Sequence, residues 1–431
     1  MNISIANAPE QDTEALAVAA TKSPRHFDYS LEALRGIAAL LVVLTHALSD
    51  GPTVDAHYHT TGIWQYVPPG HLSVLVFFLL SGYVIGLSNM RAIVTNSGRV
   101  LYLKKRLVRL YPLYLVTLVA TVAVAAMRGQ SYGLATIGGW LLFLQGRVVI
   151  VPVYNTPIWS LGYEILYYIF FLVVSARQWR AEWVAACFLV LGLAITRLPS
   201  APLILASYSY GAVFWFLGML LAKLPRRSDL PQYGTMAAFL LLLLGFSRLN
   251  LGVSLITALH LDVTDAQAPS FFDRAIAFSD FTYLLYCVPL LLCFANRTLP
   301  GQKWLERAAF VAPALYIMAY TYSGKILKPE LLNTSFFAIV FYVLAVGAYV
   351  IRQRLNELGE QIIRLFTPLG LISYGIYIIH YPLLFVFREV PFFSGTATAF
   401  IVRLLIYLII VLSLGWLLEV KVQPWVKQKL M

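Results

Sequence analysis

Charge is scarce in this chain. Only 12% of its 431 residues are Asp, Glu, Lys or Arg, about half the share of an average soluble domain, while 60% are hydrophobic. An ordinary soluble domain is thereby excluded, and a polytopic membrane protein is expected. Cysteine is nearly absent. Cys187, Cys287 and Cys293 all sit in apolar runs without metal-ligand spacing, so neither a disulfide framework nor a zinc site is indicated and no metal is expected. Acids are fewer than bases, 20 against 32, leaving a formal charge of +12. In a soluble chain that excess would suggest nucleic acid. Here the bases should instead mark cytoplasmic loops, and no nucleic-acid partner is expected. The first 28 residues lack a basic segment followed by an apolar one, so they are expected to form a disordered cytosolic tail rather than a cleaved signal. No repeat of fixed period is visible.

What the sequence does contain is a series of apolar runs, each long enough to cross about 30 Å of hydrocarbon. Residues 50 to 70 hold Asp50, Asp55, His57 and His59 but no Lys or Arg, which places that loop outside and the N-terminus in the cytoplasm. The loop with Arg91, Arg99, Lys104, Lys105, Arg106 and Arg109 is then cytoplasmic, and a third span is expected to begin at Tyr111-Pro112. Later basic loops stay on that side only if 134–150, broken by Gly138, Gly139, Gly146 and Arg147, is short or re-entrant. The fold class is therefore all-α, a membrane bundle of about 11–12 transmembrane helices over residues 29–420, with a short basic cytosolic tail at 421–431 and with the run near 308–324 the most doubtful span.

Three groups of polar residues stand out at membrane depth. In Tyr29 to Ser49, Arg35 and His46 are eleven residues apart, on one helical face and roughly 16 Å apart along the axis. Such a pair is either a functional site or a snorkelling arginine with a packing histidine. In NTPIWSLGYEILYY, Glu164 lies among aromatic and aliphatic residues, where it needs a partner, His46 or an arginine. In SYGIYIIH, His380 lies toward the same outer side as His71. Those two histidines with Trp159 and Tyr163 are expected to line an external pocket whose aromatic faces suit sugars. At the cytosolic mouth, Arg106 and Arg109 are helical neighbours able to converge on one anion, or members of an ordinary basic loop. Ser81 in FFLLSGYVIG has no G-x-S-x-G context and reads as a packing residue.

In order along the chain, R-x10-H (Arg35, His46), FFLLSGYVIG, R-x-x-R (Arg106, Arg109), NTPIWSLGYE and SYGIYIIHYPLL resemble the acyltransferase-3 family, over about Tyr29 to Trp416. The resemblance implies a bacterial inner-membrane O-acyltransferase with both termini cytoplasmic, moving an acyl group, usually acetyl, from cytosolic acyl-CoA to a hydroxyl of an extracytoplasmic carbohydrate. Acyl-CoA is then a co-substrate, with no tightly bound cofactor. His46 would be the catalytic base, with Glu164 orienting it. Arg35, Lys105, Arg106 and Arg109 would serve the CoA end. His71, Asn155, Trp159, Ser160, Tyr163, Tyr377 and His380 would serve the acceptor. Some relatives carry a C-terminal esterase-like domain; none is expected after the last span here, near 418, so the acceptor would reach the membrane cavity directly or through a separate partner. The competing class is a proton-coupled transporter or flippase, using the same His and Glu as a relay. A metal-dependent glycosyltransferase ranks lower, because Asp50, Asp55, Asp262, Asp265 and Asp273 show no compact ligand spacing.

Overall fold

The computed structural model describes residues 28–49, 54–89, 91–198, 201–261, 271–324 and 329–431, the last with side chains from residue 335. Most of the expected N-terminal tail, with Asp50, Asp262 and Asp265, lies outside the described residues. The first two helices are α1 (Tyr29–Leu48) and α2 (Gly70–Ser88), followed by the long α3 (Asn96–Met127) and the short α4 (Leu134–Leu141). Next come α5 (Trp159–Ala176), α6 (Ala181–Thr196), α7 (Leu203–Leu221), α8 (Tyr233–Phe246) and α9 (Leu251–Ala258). The chain finishes with α10 (Leu284–Phe294), α11 (Gln302–Tyr322), α12 (Pro329–Val350), α13 (Asn356–Leu371), α14 (Ser373–Glu389), α15 (Ala397–Trp416) and α16 (Gln423–Leu430).

No strand occurs among the described residues, and the fold is an all-α membrane bundle. Among the described residues, seven helical segments are long and apolar enough to cross a bilayer, and α13 with α14 makes an eighth if that bent pair is one span. Shorter apolar helices at Ala181–Thr196, Phe278–Phe294 and Ser335–Val350 run among them. Apolar side chains on the outer faces, such as Val119, Ile169, Val190, Leu405 and Ile409, are exposed, as a lipid-facing surface requires. The segment near 134–150 is short: α4 has eight residues, about 12 Å of rise, and then turns back through Gln145 and Val149. The doubtful run near 308–324 falls mostly on α11, which ends at Tyr322 and is not among the seven.

The expected start of the third span at Tyr111-Pro112 is corrected. Helix α3 begins at Asn96, where the Thr95 side chain accepts from the Gly98 amide, and runs through Pro112 without a break. Proline removes the hydrogen bond to the carbonyl four residues back. That carbonyl, Val108 O, accepts instead from Gln423 Nε2 at 2.6 Å, and Leu110 O accepts from the Tyr374 hydroxyl at 2.9 Å. The α15–α16 end of the chain and α14 therefore repair the backbone of α3 beside Arg106 and Arg109. Pro382 is handled alike: the carbonyl it frees, Ile378 O, accepts from Asn155 Nδ2 at 3.4 Å.

Helix α13 meets α14 at a bend of 70°, where Ser373 Oγ donates to Gly370 O at 2.8 Å. The bend turns Gly370, Leu371, Ser373, Tyr374 and Tyr377 into one cavity wall. Close helix crossings set the other walls. A Cβ on Gly82 of α2 would lie 1.8 Å from Trp215 O, and one on Gly218 of α7 would lie 2.1 Å from Leu79 O, so the two backbones touch. Because backbone cannot yield as a side chain does, Gly82→Leu is expected to cost more than the ~1–3 kcal/mol of ordinary overpacking. Its monodisperse peak in detergent size-exclusion should be lost; a wild-type profile would contradict that crossing.

The end of the bundle that carries Arg35 also gathers Arg106, Arg109, Arg226, Arg297, Arg352 and Arg364, through contacts such as Arg297 Nε to the Tyr83 hydroxyl at 3.0 Å. The opposite end is tied by Asp55, buried in the α1–α2 loop. It accepts from Ser394 Oγ at 2.5 Å and from the Gly395 amide at 3.1 Å. Burial pushes the Asp55 carboxyl up, but these bonds, the His57 amide and nearby Arg403 hold it below the usual carboxylate range.

Candidate active site

A cavity of about 330 Å³ opens at the basic end and is lined there by Glu32, Arg35, Arg106 and Arg109. The three arginines are not equivalent. Arg35 is paired with Glu32 at 3.0 Å, one turn before it on α1. Arg109 is paired at 3.3 Å with Glu419, whose side chain is only 2% exposed. Glu419 sits in the widened π-helical turn Leu417–Val422. Among the described residues, Arg106 has no carboxylate partner. Its guanidinium lies over the rings of Tyr102 and Tyr168, 5.4 and 5.6 Å from their centroids, and its buried Nε has no hydrogen-bond acceptor. Lys105, one residue before it, is exposed and does not line the cavity.

Descending from Arg106, the wall follows α5 one turn at a time. Tyr168 comes first, then Glu164, then Ser160. Glu164 Oε1 accepts from Ser81 Oγ at 3.0 Å and from the Tyr168 hydroxyl, and Trp215 Nε1 donates to Ser81 Oγ at 3.2 Å. Next, Ser160 Oγ and the Tyr377 hydroxyl are 2.7 Å apart, and Tyr377 also donates to Pro157 O. Beyond Tyr377, one turn along α14, is His380, fully buried. Its Nδ1 is 2.6 Å from Tyr377 O, its Nε2 is 3.1 Å from His46 Nδ1, and the Tyr407 hydroxyl donates to its carbonyl. His46 Nδ1 is also 3.0 Å from Val42 O, and its ring stands edge-on to Tyr381.

The histidine on α1 therefore meets a histidine. Glu164, expected to orient His46, is bonded to Ser81 and Tyr168 instead, about two turns nearer the mouth. The pattern of acceptors around the two rings specifies their tautomers. Tyr377 O can only accept, so His380 Nδ1 carries a proton and its Nε2 is a lone pair. Facing that lone pair and Val42 O, His46 Nδ1 carries a proton too, which leaves His46 Nε2 unprotonated.

The expected external aromatic pocket is not assembled from the residues named for it. Tyr163 is buried in the core, stacked on Tyr208 with ring centroids 3.8 Å apart and bonded to Ser207. Asn155 is fully buried and spends its amide on Thr121 Oγ1 and Ile378 O, a structural pin. Ser160 and Tyr377 line the cavity entered from the basic end. His71 lines a different cavity, of about 300 Å³, at the opposite end. There it is bonded at 3.0 Å to the buried Asp280, with Ser207, Tyr210, Phe271 and Arg274 around it. Trp159 stands between the two cavities, touching Phe78 of the first and Phe271 of the second edge-on.

Five participants were not singled out from sequence as site residues. Tyr168, Trp215, Glu419 and Asp280 look like ordinary members of their segments. Ser81 in FFLLSGYVIG reads from sequence as packing; the signal available is that it is a polar residue amid apolar ones in a membrane span. Among the described residues no cluster of His, Cys, Asp or Glu can hold a metal ion.

A family model described as an acyltransferase domain matches residues 28–307. The chain is also similar to a curated protein named Acyltransferase MdmB from Streptomyces mycarofaciens, 27% identical over 191 residues, which are 40% of this chain and 48% of that protein. The chain thus spans about half the length of that relative. No solved structure matches. The family match covers more than half of the chain, including α1 with Arg35 and His46, the R-x-x-R pair on α3 and the Glu164 segment on α5; this multi-pass chain belongs to the acyltransferase-3 family.

Proposed function

We propose that the protein is an O-acyltransferase of the bacterial cytoplasmic membrane that moves an acyl group, most simply acetyl, from cytosolic acyl-CoA to a hydroxyl of an exported or cell-surface carbohydrate. The observation that carries this reading is the first cavity: three arginines at its mouth and, at its far wall, the turn of α14 that leads from Tyr377 to the His380–His46 pair. Acyl-CoA has phosphates at one end and a thioester at the other, joined by a thin arm, so its site needs cations at an entrance and a base some distance inside. The concentration of arginines at the mouth supports a cytoplasmic placement of that end, with both termini on the same side.

In the proposed step, the lone pair on His46 Nε2 takes the proton of the acceptor hydroxyl as its oxygen attacks the thioester carbonyl. The carbon–sulfur bond then breaks, and the departing thiolate takes that proton from the imidazolium to leave as CoA thiol. His380 acts as a positioning residue, because its Nε2 accepts the His46 Nδ1 proton and holds the ring in the reactive tautomer. His380→Ala is expected to lower kcat by about 100-fold with the donor KM within about twofold, and His380→Gln, which keeps an acceptor, should recover part of the loss. Equal kcat in all three proteins would contradict the role. The acceptor is proposed to enter through the second cavity, where aromatic rings stand beside the His71–Asp280 pair and Arg274. The test is label transfer from radiolabelled acetyl-CoA to envelope carbohydrate in membranes containing the protein. Absence of label with well-folded protein would remove the reading.

A further inference from the structure

Between the arginine mouth and the histidine pair lies a polar cluster that the proposed chemistry leaves without a task. Ser81, Glu164 and Tyr168 line the cavity, with Trp215 behind them, in a stretch whose other lining includes Val74, Phe77, Phe78, Leu80, Val84, Ile85 and Leu161. Polar groups at membrane depth are costly unless they are paired or put to use. The internal pairing accounts for only part of the cluster. Both hydroxyls donate to one oxygen, Oε1 of Glu164, and the indole N–H donates to Ser81 Oγ. No described residue donates to Oε2, on a half-buried carboxyl that faces the cavity. All three internal donors are thus consumed, while an acceptor is left facing the cavity, so the cluster calls for a ligand that brings its own N–H or O–H.

The depth of the cluster identifies the ligand. Arg106 lies over Tyr168, Glu164 is one turn of α5 further in, Ser160 with Tyr377 one turn beyond, and His380 with His46 about one turn beyond that. The cluster is therefore roughly 6 Å inside Arg106 and roughly 10 Å short of the histidines. If the phosphates rest on Arg106 and the thioester on His46, this is the part of the cavity crossed by the donor's pantetheine arm. That arm carries a hydroxyl and two amides between its phosphate and its sulfur, and each supplies a hydrogen-bond donor.

We infer that Glu164, held by Ser81 and Tyr168, is a donor-binding residue that accepts a hydrogen bond from an amide or hydroxyl of the pantetheine arm and so sets the depth at which the thioester rests. This rests on the proposed acyl-CoA donor and assigns Glu164 to the arm rather than to proton transfer. Short of the histidine pair and bonded to neither ring, Glu164 reaches the reacting atoms only through the position of the donor.

The experiment compares two donors, acetyl-CoA and a short alkyl thioester of acetic acid, which keeps the reacting group and lacks the arm. It uses full-length protein in membranes, wild type against Glu164→Leu and Glu164→Gln. The leucine variant removes the acceptor and leaves Ser81 and Tyr168, 3.3 Å apart, able to bond each other; the glutamine variant keeps an acceptor without charge. Glu164→Leu is expected to raise KM for acetyl-CoA about tenfold or more, as loss of one buried hydrogen bond to a carboxyl does, with kcat within about threefold. Its preference for acetyl-CoA over the alkyl thioester should fall by the same factor, and Glu164→Gln should lie between. If both donors lose activity equally, or if kcat falls while KM holds, Glu164 serves the chemistry or the packing and the inference is overturned. Wild type that cannot use acetyl-CoA would overturn the donor reading, and this inference with it.

Discussion

Replacing His46 by alanine is expected to lower acyl transfer by about 100- to 10,000-fold, the range that a positioned general base contributes, with little change in protein yield. The yield should hold because the ring is half-buried and makes no hydrogen bond that α1 needs: Val42 O, which faces its Nδ1, is also within the helix's own backbone pattern. The rate should fall because no other described group at that depth offers a free lone pair as basic as an imidazole's. The nitrogens of His380 face Tyr377 O and His46, and the hydroxyls of Tyr377 and Tyr407, which donate to backbone carbonyls, keep only the weakly basic lone pairs of a phenol. The check is initial rate at saturating donor with protein amounts matched. His46→Ala and His380→Ala should also be less than additive, since His380 acts only through His46.

The second large effect is expected at Arg106. Of the three arginines at the mouth, Arg35 and Arg109 each begin with a carboxylate partner, whereas Arg106 is held over two aromatic rings with a buried, unpartnered Nε. It is the cation that can take a phosphate without breaking an existing ion pair. Arg106→Ala is therefore expected to lower kcat/KM for acyl-CoA about 100-fold, mainly through KM, as loss of a bidentate charged contact does. Lysine should restore only part of this, because it keeps the charge but neither forms the fork nor stacks on Tyr102 and Tyr168 in the same way. The KM of the alanine variant should also lose most of its dependence on ionic strength. An unchanged KM would move the donor's phosphates elsewhere. Arg109→Ala would be a less readable variant, since it leaves the buried Glu419 carboxyl unpaired.

Hydropathy and the placement of basic residues were enough to read the class of fold, because membrane spans are specified locally by length and by the cost of charge in lipid. The short segment at 134–150 was legible for the same reason: only a non-crossing stretch kept the arginine-rich loops on one side. Pairings across the bundle were not legible. Glu164 and His380 are both polar residues in apolar spans, and nothing in either segment states which of them faces α1. That choice depends on the 70° bend before α14 and on the close α2–α7 crossing at Gly82 and Gly218, which sets Trp215 against Ser81, the residue that bonds Glu164. Asn155 shows the same limit: its amide N–H serves a carbonyl freed by Pro382, more than two hundred residues away. Likewise Pro112 looked like the start of a helix because its repair by Gln423 comes from the far end of the chain.

The central claim is that donor and acceptor are served from opposite ends of the bundle, through the cavity of Arg106 and that of His71, with His46 between them. The most direct measurement uses sealed membrane vesicles of known orientation containing the wild-type protein, with radiolabelled acetyl-CoA supplied only outside. Inside-out vesicles, which expose the arginine-rich mouth, should label carbohydrate on the luminal side, and His46→Ala vesicles should not. Right-side-out vesicles should remain unlabelled until they are opened. Equal labelling of intact right-side-out vesicles, or labelling by His46→Ala at the wild-type rate, would contradict the account.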